Sequence, residues 1–292
     1  MSHSFFAPQG PSVSVWLCSI RDCLVTSKFF HRAMRHSQLL FSLLLACTSA
    51  FSQTAPAIEW QRALGGTGAD NGWSIEQTSD SGYIVAGQSA SNNGNVTGNH
   101  GGYDFWVVKL ASDGAVQWQK SLGGTGADYA YCVRQTIDHG YVVVGNSNSN
   151  DGDVSGNHGS GDVWVVKLDN TGSLQWQRCL GGSNGEGAKC VLQTSSDGYI
   201  IAGETYSNDG DVVGNQGSND VWLVKLDAGG SLVWQHTYGG SGGEFANDIA
   251  ETGDGGYVIA GGSTSNDGDV TGNHGGGMDY WLLKDRNSCA ST

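Results

Sequence analysis

The residues best equipped for chemistry are the acids of four related loops. These read SNNGNVTGNHG at 91–101, SNDGDVSGNHG at 149–159, SNDGDVVGNQG at 207–217 and SNDGDVTGNHG at 265–275. Three copies place two carboxylates around one glycine, Asp151/Asp153, Asp209/Asp211 and Asp267/Asp269, whereas the first carries neutral Asn93/Asn95. An asparagine follows in each: Asn99, Asn157, Asn215 and Asn273. A hard cation such as calcium takes six to eight oxygens from carboxylates, amides and carbonyls on a sharply turning chain. Asp151, Asp153 and Asn157, with Asp209, Asp211, Asn215, Asp267, Asp269 and Asn273, are therefore candidate calcium ligands. The competing expectation is a structural turn. Asn, Asp and Gly dominate turns because they bond their own backbone and tolerate positive φ, and the closing glutamate of an EF-hand is missing.

Other patterns are weaker. His100, His158 and His274 occupy three of the loops, with Gln216 in the third. Converging imidazoles would suit zinc or copper, but equivalent positions on successive units are expected to stay apart, each histidine bonded within its own loop. Asp104, Asp162, Asp220 and Asp279 precede aromatic strands and read as turn caps. LGGTGAD at Leu64–Asp70 lacks the Lys-Ser/Thr of a phosphate loop. No nucleophile elbow is present. His139, Lys189, His236 and Glu244 break the internal symmetry without forming a known constellation. Trp73, Tyr129, Tyr131 and Phe245 are aromatics that either stack on sugars or pack between units.

The elements that position these residues repeat. Trp60, Trp118, Trp176 and Trp234 are spaced by 58 residues, as are Tyr83, Tyr141, Tyr199 and Tyr257. A period of this size dictates the fold. One unit reads as four strands, around Trp73–Thr78, Gly82–Gly87, Asp104–Leu110 and Val116–Leu122, with a hairpin turn of Asp and Gly between the last two. DVWVVKL puts apolar residues on both pleat faces, as expected of sheets stacked on sheets. The expected fold is all-β: a β-propeller of four 58-residue repeats of four antiparallel strands (58–115, 116–173, 174–231 and 232–284). A β-solenoid is the runner-up.

The fourth unit has no fourth strand after Trp281–Lys284, and Ile58–Leu64 is a fourth strand without a preceding unit. The expectation is that this N-terminal strand closes the ring, with Trp60 on a strand paired to Trp281–Lys284.

Ahead of the repeats, residues 1–33 resemble nothing else in the chain and read as a start assigned too early. Met34 and Arg35, the apolar run Leu39–Cys47 and the small residues up to Ser52 have the layout of a secretory signal peptide (34–52), its core too short to span a bilayer. The alternative is a lipid anchor at Cys47. Four of the 14 basic residues and one of the 28 acidic residues lie in the first 52, leaving 10 against 27, a net charge of −17. That balance argues against nucleic acid. Cys132, Cys179, Cys190 and Cys289 follow the signal, and equivalent positions such as Cys132 and Cys190 are expected to lie too far apart for a disulfide.

The pattern GGYIVAGxSxSNDGDVxGNHG followed by DxWVVKLDxxGxxxWQxxxGG, present over 58–284, resembles the repeats of secreted bacterial β-propeller-like proteins, which are common in bacteria that use type IX secretion. KLDNTGSLQW is similar to the docking motif of quinoprotein-type blades, a likeness of blade architecture. The resemblance implies a protein acting at or outside the cell surface. The leading expectation is a non-enzymatic secreted or cell-surface propeller, binding an extracellular protein or glycan or serving a structural role, with calcium as the candidate stabilising ion. The alternative is a glycan-processing propeller enzyme.

Overall fold

A computed structural model describes residues 55–196 and 198–286. The 1–33 extension, the 34–52 signal peptide, the Cys47 lipid site and Cys289 lie outside these residues. The described part contains fifteen strands and no helix, hence no helix long and apolar enough to cross a membrane.

The strands form four antiparallel sheets in sequence order. The first is β1 (Asp70–Gln77), β2 (Tyr83–Ser89), β3 (Asp104–Leu110) and β4 (Val116–Leu122). The second is β5 (Asp128–Gln135), β6 (Tyr141–Ser147), β7 (Asp162–Leu168) and β8 (Leu174–Leu180). The third is β9 (Glu186–Gln193), β10 (Tyr199–Thr205), β11 (Asp220–Leu226) and β12 (Leu232–Tyr238). The fourth has three strands, β13 (Glu244–Glu251), β14 (Tyr257–Ser263) and β15 (Asp279–Asp285). These are propeller blades, as the repeat predicts. Every residue of β3 and β7 is buried, because each middle strand has a neighbouring sheet on its face as well as a strand on each edge.

Aromatic rings carry the packing between blades. Trp164 is fully buried and its ring meets Phe105 at 4.5 Å between centroids. Trp118 and Trp176 lie 5.6 and 5.7 Å from Tyr141 and Tyr199 of the next blade. The hairpin glycine between the third and fourth strands fits beneath these indoles: Gly172 has φ +79° and a Cβ there would come within 2.9 Å of the Trp118 ring. The first strands β1, β5, β9 and β13 are neighbours from blade to blade. Side chains stitch them together, Ser74 Oγ accepting from Val133 N (3.2 Å) and Glu76 Oε2 from Gln135 N (2.6 Å).

One expectation is corrected. Ile58–Leu64 does not close the array. Residues 55–69 form no strand, and β15 pairs only with β14 among the described residues. Trp60 lies instead on the first blade, 5.6 Å from Tyr83. The reason is that packing on sheet one satisfies Trp60 in the same way that Trp118 is satisfied on sheet two. Consequently Trp73 and Ile75 on β1 are 58% and 60% exposed, and Tyr280 and Leu282 on β15 are 97% and 72% exposed. Cys132 and Cys190 are free, buried thiols, and Cys190 Sγ donates to Asp248 Oδ1 of the next first strand at 3.2 Å. Their blades are neighbours along the first strands, where side-by-side stacking brings equivalent positions together.

Candidate functional site

The four loops, three of them acidic, join the second strand of each blade to its third, and they are clamps. Asp151 Oδ1 accepts from Thr125 N and Oδ2 from Thr125 Oγ1, both at 2.8 Å. Asp153 Oδ2 accepts from Gly123 N at 3.3 Å. Asn157 donates to Ser147 O (2.8 Å) and accepts from Gly159 N (2.9 Å). The later copies repeat this: Asp209 with Ser183 N, Asp211 with Gly181 N, Asn215 with Thr205 O, Asp267 with Ser241 N, Asp269 with Gly239 N and Asn273 with Ser263 O. Each loop is thereby tied to the glycine turn that leads into its own blade.

The neutral first copy identifies what the clamp requires. Asn93 Oδ1 accepts from Thr67 N at 2.8 Å and its Nδ2 donates to Thr67 Oγ1 at 2.9 Å. An asparagine holds the turn as an aspartate does, so the position needs an acceptor and no charge. No group of three His, Cys, Asp or Glu side chains suited to a metal occurs among the described residues.

The histidines do not converge. His100, His158 and His274 each meet an aspartate of their own blade through Nδ1: Asp104 at 2.8 Å, Asp162 at 2.7 Å and Asp279 at 2.8 Å. Asp104, Asp162 and Asp220 are fully buried, and one oxygen of each, Oδ1, has no partner. Burial raises the pKa of Asp104 and Asp162, although the hydrogen bonds from His100 and His158 act the other way. In the third blade Gln216 replaces histidine, and burial lifts Asp220 to about 6. For His100, burial opposes the charge, but the Asp104 carboxylate outweighs it and raises the pKa.

The symmetry-breaking residues gather elsewhere. Each first strand carries a β-bulge against the second strand, at Trp73, Tyr131, Lys189 and Asn247. A bulge re-aims the extra side chain out of the ladder. The opposing glycine makes room for it: a Cβ on Gly145 would lie 1.8 Å from Tyr129 O, and Gly87, Gly203 and Gly261 meet the same obstruction. The same architectural device thus presents four different side chains. The Trp73 and Tyr131 rings are 6.2 Å apart, and Lys189 Nζ sits 3.9 Å from the Tyr131 centroid, a cation–π contact.

Polar groups flank this row. Trp73 Nε1 donates to Gln88 Oε1. Glu204 accepts from Asn219 Nδ2 at 3.3 Å, and burial raises its pKa while Lys189 pulls it back. Tyr103 and Tyr129 stack nearby at 5.4 Å. Of the symmetry-breaking residues noted in the sequence, only Lys189 belongs here. Glu244 is a buried acceptor for Ser263 Oγ and Gly240 N, His139 occupies a turn at φ +63°, and His236 lies against Tyr238. Glu204, Asn219 and Gln88 were not foreseen. The available signal was that 73, 131 and 189 share one repeat phase but not one residue type.

No protein-family model and no curated protein matches the chain. Among solved structures it is similar to a protein of unknown function from Bacteroides caccae, at 10% identity and TM-score 0.42, over 70% of this chain and 57% of that one. It is also similar to a xylan β-1,4-xylosidase from Bacillus halodurans, at 11% identity and TM-score 0.37, over 78% of this chain and 44% of that one. A levansucrase mutant from B. megaterium matches at 11% identity and TM-score 0.35, over 74% and 65%. The chain spans less than two thirds of the length of each.

Proposed function

We propose that this is a non-enzymatic, exported β-propeller that binds an extracellular glycan along the row of bulged residues on its first strands. The observation that carries this reading is the contiguous set Trp73, Tyr131 and Lys189, raised from the ladder by repeated bulges and edged by Gln88, Asn219 and Glu204. Aromatic faces bury the apolar side of a sugar ring, while amides and a carboxyl group bond its hydroxyls. A row of unlike residues on equivalent strands suits a chain of successive sugar units.

The chemistry of Glu204 favours binding over catalysis. Glycoside hydrolysis uses a pair of carboxyl groups across the scissile bond, whereas the side chains that meet Glu204 here, Asn219, Lys189, Tyr131 and Tyr206, include no second carboxyl group. The net charge of −17 after residue 52 (10 basic against 27 acidic) supports a ligand other than nucleic acid. The acidic loops serve as calcium-free clamps in this reading. Export proceeds through the signal peptide at 34–52, with lipidation at Cys47 as the alternative destination.

The test is retention on immobilised neutral and acidic polysaccharides. Wild type is retained; Trp73→Ala and Tyr131→Ala each lose retention at least tenfold with unchanged melting temperature. Equal retention of the variants refutes the site, and release of reducing ends over many turnovers refutes the non-enzymatic reading.

A further inference from the structure

We infer that a second copy of this chain adds its Ile58–Leu64 segment to the open edge of β15, completing the three-stranded fourth sheet as its missing outer strand. The outer strands β4, β8 and β12 each have two attachments. Each pairs with the third strand of its own sheet, and each sets a tryptophan on the next blade: Trp118 on Tyr141, Trp176 on Tyr199, Trp234 on Tyr257. Ile58–Leu64, 58 residues before β4, already has the second attachment. Trp60 sits on Tyr83, and Arg62 Nε donates to Gly114 O at 3.1 Å, much as Arg178 reaches Gly229 O. Its first attachment is empty, because it pairs with no strand among the described residues of its own chain.

β15 has the complementary deficit. Among the described residues it uses one edge, against β14, and unpaired edges are templates for strand addition. In the first three sheets the third-strand tryptophan donates to a glutamine of the outer strand, each time at 2.8 Å: Trp106 to Gln119, Trp164 to Gln177, Trp222 to Gln235. Trp281 holds that position in β15, and Gln61 holds the glutamine position in Ile58–Leu64. The glutamine also reaches the loop of its own sheet, Gln119 to Thr97 and Gln177 to Ser155. The matching loop residue, Thr271, lines a cavity of about 280 Å³ beside Trp281. Carrying over the register of β3 and β4, where Phe105 faces Leu122 and Val107 faces Lys120, places Tyr280 opposite Leu64 and Leu282 opposite Arg62.

The same association covers both exposed ends. The face of β1 around Ile75 borders a second cavity of about 280 Å³ that also touches Trp60, Val85 and Trp106, and the internal interfaces show that a preceding blade fills this space. The contact is heterologous, joining one end of a copy to the other end of the next, so copies form a closed ring or a filament.

The decisive experiment mixes two chains, one carrying Arg62→Cys and one carrying Leu282→Cys, under mild oxidation. The expected result is a crosslinked dimer from the mixture that neither chain forms alone, together with a light-scattering mass of at least twice the chain mass. Leu282→Lys, an exposed site, should return the mass to that of a monomer without changing the melting temperature. A monomeric wild type, or a mixture that yields no crosslink, overturns the proposal. So does the double variant crosslinking only within one chain, which would restore intramolecular closure.

Discussion

The most instructive perturbation exchanges one residue between two repeats. In the second blade Lys167, nearly buried, places Nζ 3.1 and 2.8 Å from the two carboxylate oxygens of Asp138 and 3.1 Å from Leu168 O. The third blade has Ser196 at the Asp138 position, and among the described residues Lys225 Nζ donates to the hydroxyls of Thr194 and Ser196. Burial lowers the pKa of Lys225. For Asp138, burial acts upward, but the bonds from Lys167, Thr136 and Gly140 outweigh it and hold the carboxyl at about 2 instead of 3.8. Taken at about 1.4 kcal/mol per pKa unit, that difference corresponds to about 2.5 kcal/mol. The Asp138 side chain is 52% exposed, so solvent screening reduces the contribution to about 1 kcal/mol. A depressed aspartate pKa stabilises the fold above its unfolded value and loses that contribution as pH falls from about 4 to about 2. Asp138→Ser should therefore lower the melting temperature by about 2–4 °C at pH 7, and Ser196→Asp should raise it by a similar amount. Both differences should disappear near pH 2, measured by calorimetry or circular dichroism. If Ser196→Asp leaves the midpoint unchanged at pH 7, or if either difference persists undiminished at pH 2, the assignment of stability to this ion pair is wrong.

Two further predictions concern the aspartates. Burial raises Asp220 to about 6, so its protonated form suits the folded state and stability declines as pH rises from about 4 to about 6; Asp220→Asn should remove this decline and stabilise the protein by about 2 kcal/mol at pH 7, as pH-dependent melting would show. At Asp151, the Asn93 precedent predicts that Asp151→Asn melts like wild type while Asp151→Ala melts lower, with midpoints equal in calcium and in EDTA; a calcium-dependent rise confined to the chain with Asp151 would assign the loop to the ion instead.

The sequence by itself determined the blade. The 58-residue period, the alternation within each strand and the Asp-Gly hairpins are local, and backbone geometry converts them into four-stranded antiparallel units with little freedom. The glycine that opposes each bulge was visible in GYVVVG, although its purpose was not. The tertiary structure decided everything that depends on neighbouring blades. It made the Asp-Gly-Asp loops clamps, because their acceptors meet backbone N–H groups of the glycine turn entering the same blade, 26 or 30 residues earlier in the chain. It assembled Trp73, Tyr131 and Lys189 into one surface, because first strands lie side by side while the residues themselves are 58 apart. It also left Ile58–Leu64 on the first blade and the edge of β15 open. Ring closure depends on the angle accumulated between successive blades, which side-chain volumes at each interface set and which no repeat pattern encodes.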